Sequence, residues 1–248
     1  MRFTRFTAFA VHLGISLVIF AALLMIMALD WYRFPLFAIE GGWKGVQIIA
    51  GCDIVLGPLL TLLVFKPGKP SLKFDLSVIV AIQFAALVTG TWITYAQRPV
   101  LMVYAEERFY TLSNDIVGTT GIKREEITRF HNSPYPLAVV RLPDDDEQRR
   151  KIRLESLARG GLYLRGDLYA EQIPQYLKDL QTHSLDMAKL TADEPAAAAE
   201  LARFKSRHGA LDAYYFLPLH GRYGRMIVAL ERANGHLVDK LDIKPPEA

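Results

Sequence analysis

Residues 45–65 read GVQIIAGCDIVLGPLLTLLVF, an apolar run whose only charged side chain is Asp53. A helix of about 20 residues rises about 30 Å, which is the thickness of the hydrocarbon core of a bilayer. Two comparable runs flank it, at about residues 8–29 and 76–95. The sequence therefore predicts three transmembrane helices in residues 1–97. The first run is too long for a signal-peptide core, so we expect it to be retained as an anchor.

The formal net charge of +3 comes entirely from this N-terminal region. Residues 1–97 hold seven Lys and Arg against four Asp and Glu, whereas residues 98–248 hold 22 of each sign. The excess positive charge therefore bears on how the membrane runs are oriented. This distribution argues against a nucleic-acid partner, which would require a basic face on the C-terminal domain.

Basic residues at the ends of the runs predict how the helices are oriented. They precede the first run and occupy the connection between the second and third: Arg2, Arg5, Lys66, Lys69 and Lys73. We expect both segments on the cytoplasmic side and residues 98–248 on the opposite side. The three tryptophans agree, because all fall where an aromatic belt is expected at the outer interface. The short cytoplasmic connection leaves no room for a kinase or ATPase domain.

Several polar residues fall inside the runs or at their ends. Depth along each helix places Asp53 and Gln83 near mid-membrane, and His12, Thr61 and Asp75 near the cytoplasmic face. Such residues serve either as hydrogen-bonding glue between helices or as a contact site for a partner's transmembrane helix. Catalysis by paired aspartates is disfavoured, because the two carboxylates are expected about 15 Å apart along the membrane normal.

The second run contains residues that weaken a helix. Gly51, Gly57 and Pro58 lie within eight residues of one another around Asp53. Glycine adds backbone freedom, and proline removes a hydrogen-bond donor, so the pattern predicts a loosened or kinked helix.

Residues 98–248 predict an α+β domain that begins at Arg98-Pro99, where proline ends the helical pattern. Asp144 is the expected N-cap of one helix. Asn234-Gly235 lies between two apolar runs and predicts a hairpin, so the domain should end in an antiparallel sheet. The predicted strands are 100–104, 108–112, 136–142, 214–219, 225–231 and 236–243. The other predicted helices are 170–180 and 191–207.

The C-terminal domain shows no catalytic or metal-binding motif, and the single cysteine, Cys52, lies in a membrane run. His220 beside Arg222 and Arg225 is either an anion site or a solvated turn, and the turn is the favoured reading. The basic run at 149–151 follows four acidic residues, which favours a solvated helix with i,i+4 ion pairs. The pattern is typical of a binding module rather than an enzyme, with no cofactor, metal or small-molecule substrate evident.

The chain resembles the type IV pilin accessory protein family, the TfpX/TfpZ group. The resemblance covers nearly the whole chain and is densest over residues 5–109. The residues that carry it are Arg5, Phe9, His12, Trp31-Tyr32, Asp53, Gly57-Pro58-Leu59-Leu60-Thr61-Leu62, Phe65, Asp75-Leu76, Gln83, Ala86-Leu87, Arg98-Pro99-Val100, Arg108-Phe109 and Phe216-Leu217-Pro218-Leu219.

The resemblance implies a multi-pass protein of the bacterial inner membrane whose C-terminal domain is periplasmic. Its expected function is that of an accessory or chaperone protein for pilus assembly, which binds the type IV pilin among membrane lipids and modulates its stability or display. The partner-contact candidates are His12, Asp53, Pro58, Thr61, Asp75, Gln83, Arg98 and Arg108. A membrane-anchored periplasmic sensor or ligand-binding protein, or a tethered enzyme, remains an alternative.

Overall fold

The computed structural model describes residues 4–130, 135–171 and 174–246. The chain forms two compact units, Met1–Arg98 and Pro99–Ala248. Two features used in the sequence analysis lie outside the described residues: Arg2, and residues 172–173 of the predicted helix at 170–180.

The first unit contains three helical spans that are long and apolar enough to cross a membrane: Arg5–Trp31, Gly42–Val64 and Leu72–Ala96. They confirm the three predicted membrane helices, each extended by a few residues beyond the apolar run. Only a small share of each span is buried inside the unit. The spans therefore expose broad apolar surfaces, which are stable in contact with lipid but unfavourable in contact with water.

The first two spans each contain a π-helical turn. The α-helices are α1 (Arg5–Ile26), α2 (Gly42–Ala50), α3 (Gly57–Val64) and α4 (Leu72–Ala96), and the π-helical turns are Met27–Trp31 and Gly51–Leu56. The second turn joins α2 to α3 and ends just before Pro58. Pro58 has no N–H and crowds the preceding turn, and the wider π geometry relaxes that conflict. The predicted loosening of this span is thus present as a π-helical turn.

Tyr32, just after the first span, anchors the connection to the third span. Its ring is buried, and its hydroxyl donates a hydrogen bond to the Thr94 carbonyl oxygen at 2.8 Å. The Thr94 hydroxyl donates in turn to the Gly90 carbonyl oxygen, also at 2.8 Å. The edge of the Phe37 ring packs against Tyr32. These contacts hold the first connection against α4.

The described strands of the second unit form one seven-stranded mixed sheet in the order β4-β3-β1-β2-β5-β6-β7. The predicted C-terminal antiparallel sheet is confirmed, because β5, β6 and β7 pair antiparallel. Parallel pairs of β1 with β3 and of β2 with β5 join them to the earlier strands. The strands are β1 (Pro99–Ala105), β2 (Arg108–Ser113), β3 (Leu137–Val140), β4 (Tyr169–Ala170), β5 (Tyr214–His220), β6 (Arg225–Glu231) and β7 (Leu237–Leu241).

Five α-helices connect these strands: α5 (Asn114–Val117), α6 (Asp146–Ala158), α7 (Pro174–His183), α8 (Met187–Leu190) and α9 (Pro195–His208). The N-cap of α6 is Asp145, whose carboxylate accepts from the Gln148 N–H, so the prediction of Asp144 was wrong by one residue. Either aspartate can cap a helix, and only the backbone path selects between them.

Among the described residues, two hydrophobic clusters hold the second unit together. One contains Leu101 and Val103 of β1 together with Phe130 from the loop before β3. The other contains Phe204 of α9, which packs edge-on against Phe216 of β5 with ring centroids 5.5 Å apart. This second cluster extends through β6 to the edge strand β7.

Candidate functional site in the first unit

The three spans meet around a small polar cluster. His12 of α1 lies 2.6 Å from the Thr61 hydroxyl of α3, measured from its Nδ1 atom. Thr61 is buried, and the His12 ring is half-buried. In an apolar environment neither group has water to bond with, so this contact pins the first span to the second.

A second contact joins the second span to the third. The Gln83 side-chain amide of α4 donates to Oδ1 of Asp53 at 3.4 Å, and the Asp53 side chain is buried. The two contacts join the pairs that the sequence placed at two depths, His12 with Thr61 and Asp53 with Gln83. These four residues are together called the polar cluster.

The hydrogen bonding of the polar cluster is incomplete. Oδ2 of Asp53 and Oε1 of Gln83 are buried and have no hydrogen-bond partner among the described residues. Unsatisfied buried polar atoms are rare and costly, and in membranes they often mark functional positions. Asp53 also lies in the π-helical turn Gly51–Leu56, and such turns recur at functional sites.

Gly57 makes the approach of Gln83 possible. A Cβ atom at Gly57 would lie 1.8 Å from Nε2 and 2.2 Å from Cδ of Gln83. Any larger side chain would therefore displace the amide from Asp53. The sequence singled out Gly57 only for helix flexibility, whereas the structure shows that it leaves room for the neighbouring span.

Asp75 and Pro58 have different surroundings from those of the polar cluster. The expectation that Asp75 joins His12 and Thr61 was wrong, because its carboxylate is bound by Lys69 and the Ser71 hydroxyl at the start of α4. A basic residue in the preceding connection is a closer partner for a carboxylate in the first turn of the helix. Pro58 is buried in the first turn of α3, next to Gly57.

An apolar groove of about 430 Å³ lies between the first and third spans. Its walls are almost entirely apolar and include two tryptophans and a tyrosine. The edge of the Trp31 ring packs against Tyr95 with centroids 5.2 Å apart. The lining residues are Ile19, Leu23, Trp31, Leu87, Val88, Thr91, Trp92 and Tyr95.

Comparison with known proteins finds relatives along most of the chain. The chain is 26% identical over 217 residues to the fimbrial assembly protein, serogroup I, of Dichelobacter nodosus, which covers 84% of this chain and 83% of the relative. It is 34% identical over 105 residues to the fimbrial assembly protein, serogroups C1 and C2, of the same organism, covering 42% of this chain and 80% of the relative. No family model and no solved structure matches it.

The chain belongs to the fimbrial assembly protein family. The kinship confirms the resemblance to type IV pilin accessory proteins that the sequence indicated. Because the relatives of serogroups I and E1 each match over 84% of this chain, the family relationship includes residues from both units. Membership in this family supports a role in pilus assembly.

In this fimbrial assembly family member, the two candidate arginines make local contacts. The Arg98 guanidinium lies 3.6 Å from the centroid of the Tyr95 ring and donates to the Tyr95 carbonyl oxygen. Arg108, in the second unit, donates through Nε to the Glu106 carbonyl oxygen at 3.3 Å. Arg98 thus packs on a residue that lines the groove, and Arg108 lies at the base of the β1–β2 turn.

The anion site considered at His220 is not supported by its surroundings. Arg222 binds Asp115 at 2.8 Å and the Ser113 hydroxyl at 2.7 Å, so this cation is engaged within the unit. Burial opposes ionisation of Asp115, but hydrogen bonds from Ser113 and Arg222 outweigh it and lower the pKa of Asp115. His220 stacks edge-on with Tyr110 instead.

The sequence did not reveal the groove. Trp31, Trp92 and Tyr95 were recognised only as an interfacial aromatic belt, which is the usual meaning of such residues. The signal that could have suggested the groove is that these three aromatic residues are expected at the same depth in the membrane. The rotation of α1 relative to α4 decides whether they form a groove, and that rotation depends on side-chain packing between the spans.

Replacing Gly57 by alanine is expected to destabilise the first unit. The added methyl group would displace the Gln83 amide and break its hydrogen bond to Asp53. We expect a loss on the order of 1 kcal/mol, the scale of hydrogen bonds between membrane helices. Thermal unfolding of the full chain in detergent, followed by circular dichroism, measures it. Gly51→Ala is the matched control, because nothing lies within 4 Å of its added Cβ. Equal unfolding temperatures for the two variants would contradict the prediction.

His220 is expected to make the stability of the second unit depend on pH. Burial, together with the charges of Arg108 and Arg225, lowers the pKa of His220. The unfolded state, with an ordinary pKa of about 6.5, therefore binds more protons in mildly acidic solution. Neutral His220 therefore contributes stability to the folded state that is fully present above about pH 6.5. This stability is lost as the pH falls through the folded-state pKa of His220. Denaturant unfolding at a series of pH values measures this. As the pH falls below about 6.5, the free energy of unfolding should decrease less steeply for His220→Phe than for the wild type. Identical pH dependence of the two proteins would contradict the prediction.

Proposed function

We propose that this protein is an inner-membrane accessory protein that binds the type IV pilin without catalysis and protects it before assembly into the pilus. Membership in the fimbrial assembly protein family supports the pilus role. A preformed apolar groove between two membrane spans supports direct binding of a hydrophobic helix, and this groove is the observation that carries the proposal.

The proposed topology places the N-terminus in the cytoplasm and the second unit in the periplasm. Arg5 precedes the first span, and Lys66, Lys69 and Lys73 occupy the connection between the second and third spans. Basic residues favour the cytoplasmic side. Trp31 and Trp92 lie at the ends of the first and third spans that are away from these basic residues. Both line the groove, near the proposed outer interface.

The proposed ligand of the groove is the apolar N-terminal helix of an unassembled pilin. Such a helix spans the membrane once and has no other subunit to pack against before assembly. Without a hydrophobic driving force between helices in lipid, association depends on close packing and on polar contacts. The groove provides the first of these, because a concave surface offers more van der Waals contact than a flat one.

The polar cluster provides the second. His12, Asp53, Thr61 and Gln83 connect all three spans and thereby set the width of the groove. The unpaired oxygens of Asp53 and Gln83 give the bundle two acceptors that a donor on the pilin helix would satisfy. In this proposal the polar cluster both positions the spans and contributes to recognition.

Filling the groove is expected to abolish pilin binding. Thr91→Phe adds a ring inside the groove, whereas Val80→Phe adds the same ring to an exposed position of α4 that does not line it. Tagged full-length protein is isolated from membranes of cells with and without the pilin that accompanies it, and co-purified pilin is quantified. We expect recovery with the wild type and Val80→Phe and a loss of about tenfold or more with Thr91→Phe. Failure of the wild type to recover pilin, with unchanged piliation in a deletion strain, would refute the proposal.

Changes in the polar cluster are expected to reduce surface piliation. Asp53→Asn and His12→Ala each alter a buried polar side chain that connects the spans. We expect fewer pili while the amount of the protein, measured by immunoblot, stays normal. Ser16→Ala is the control, because Ser16 is buried in α1 but does not belong to the polar cluster. If the amount of the protein on the immunoblot falls together with the number of pili, the polar cluster has only a structural role.

A further inference from the structure

The second unit has a large open cleft that the proposed membrane site does not use. Its volume is about 1570 Å³, and it is bounded by the β1–β2 turn, by α6 and by α7. The sequence predicted α6 to be an ordinary solvated helix. Most of its residues are exposed, in agreement with that prediction, and one side of the helix lines the cleft.

One face of α6 forms a wall of the cleft. Residues at helical spacing along it line the cleft: Asp146, Arg149, Arg150, Arg153, Leu154 and Leu157. A neighbouring narrow face contacts the rest of the unit, with Ser156 buried and Ile152 against the hydrophobic cluster of β1. The helix therefore packs along this narrow face and presents a mixed cationic and apolar stripe to the cleft.

The arginines of this stripe are largely unneutralised. Arg149 is bound by Asp146, one turn earlier. Arg150 and Arg153 are exposed and have no ion-pair or hydrogen-bond partner among the described residues. Asp146, the i,i+4 partner expected for Arg150, is bound to Arg149 instead. Arg141, which also lines the cleft, has no side-chain partner in the described part of the chain either. The wall thus presents three available guanidinium groups.

Two leucines complete the stripe. Leu154 is 62% exposed and Leu157 is 73% exposed. Among large apolar side chains of the described second unit, only these two and Tyr223 are classed as exposed. A helix surface adapted to water alone would not place two leucines one turn apart beside free arginines.

The facing wall carries carboxylates. Glu107 contacts His183 at 3.2 Å, and Asp179 accepts a hydrogen bond from Gln175 at 3.0 Å. Neither contact removes the negative charge of this wall, because Gln175 is uncharged and His183 is charged only when protonated. The acidic wall on one side and the unpaired arginines of α6 on the other give the cleft a charge asymmetry that would orient a ligand.

The β1–β2 turn is held in an unfavourable conformation. Glu106 and Glu107 have φ values of 50° and 68°, in the left-handed region that glycine and asparagine prefer. A two-residue hairpin turn of this type requires positive φ at both central residues. Here it places two glutamates at the rim of the cleft.

Tyr104 supplies an unpaired polar group in the cleft wall. Its side chain is 95% buried, and its hydroxyl has no hydrogen-bond partner among the described residues. Burial, and the nearby charges of Asp179 and Glu107, raise the pKa of Tyr104, so the hydroxyl remains a donor. A buried donor without an acceptor is rare in folded proteins, and this one belongs to a residue that lines the cleft.

We propose that this cleft binds an acidic amphipathic segment of the pilin head, with carboxylates on Arg141, Arg150 and Arg153 and apolar side chains on Leu154 and Leu157. Charge complementarity selects this ligand, because arginine binds carboxylates bidentately. A flat anionic membrane surface fits less well, since Arg141, Arg150 and Arg153 line a concave cleft that an extended bilayer surface does not enter. The inference rests on the proposed function for the identity of the partner, but the chemistry of the cleft can be tested alone.

The test compares Arg150→Glu/Arg153→Glu with Arg124→Glu/Lys151→Glu in the full chain. Both pairs make the same change in net charge at exposed positions, and the second pair lies outside the cleft. The direct probe is a labelled synthetic peptide with Glu and Leu at helical spacing, titrated onto detergent-solubilised protein and followed by fluorescence anisotropy. A peptide with Gln in place of Glu, and vesicles containing phosphatidylglycerol, are the comparison ligands.

We expect the Glu peptide to bind the wild type and the control pair, and to bind the cleft pair at least about tenfold more weakly. Equal binding by the two pairs, equal binding of the Gln peptide, or preferential binding of vesicles would overturn the inference. Pilin co-purification separates it from the proposed function. If the wild type recovers pilin and the cleft pair recovers as much, the cleft inference fails and the proposed function stands. If the wild type recovers none while the peptide result holds, the proposed function fails and the cleft remains a binding site for acidic segments.

Discussion

Polar side chains inside apolar spans must find their partners in one another, and this constraint organises the first unit. His12 bonds to Thr61 and Gln83 bonds to Asp53, so every span is tied to another by at least one hydrogen bond. Each such contact fixes the rotation of a helix about its own axis, because a polar group facing lipid would be left unsatisfied. Gly57 leaves the space that the Gln83 side chain needs to reach Asp53. The groove between the first and third spans is a consequence of that fixed rotation.

The two units share one property, although each is built differently. In the first unit the apolar groove is a surface that lipid fills imperfectly. In the second unit the stripe of α6 places leucines and unneutralised arginines in water. Each surface has groups that lack contacts within its own unit: apolar walls in the first, and leucines and unpaired arginines in the second. Exposed surfaces of this kind are typical of binding sites. A partner with both a membrane helix and an exported head would match both kinds of surface, and a pilin has that architecture.

Much of the fold was predictable because its signals are local. Three apolar runs are each long enough to span a membrane, and this depends only on length and composition. The C-terminal strands were predictable because alternating apolar residues and an Asn-Gly turn favour antiparallel neighbours. The parallel pairing of β2 with β5 was not predictable, because about a hundred residues separate Tyr110 from His220 and no local pattern specifies that register.

The sequence by itself determined three membrane-length helices, an α+β domain after them and the kinship with fimbrial assembly proteins, because these depend on run lengths, periodicity and matched residues. Only the tertiary structure decided that Gly57 leaves room for Gln83 to reach Asp53, that Asp75 binds Lys69, and that the arginines of α6 face a cleft. The physical reason is that side chains from different elements meet according to helix rotation and strand order. Those quantities result from packing of the whole chain and are not encoded in any short stretch of it.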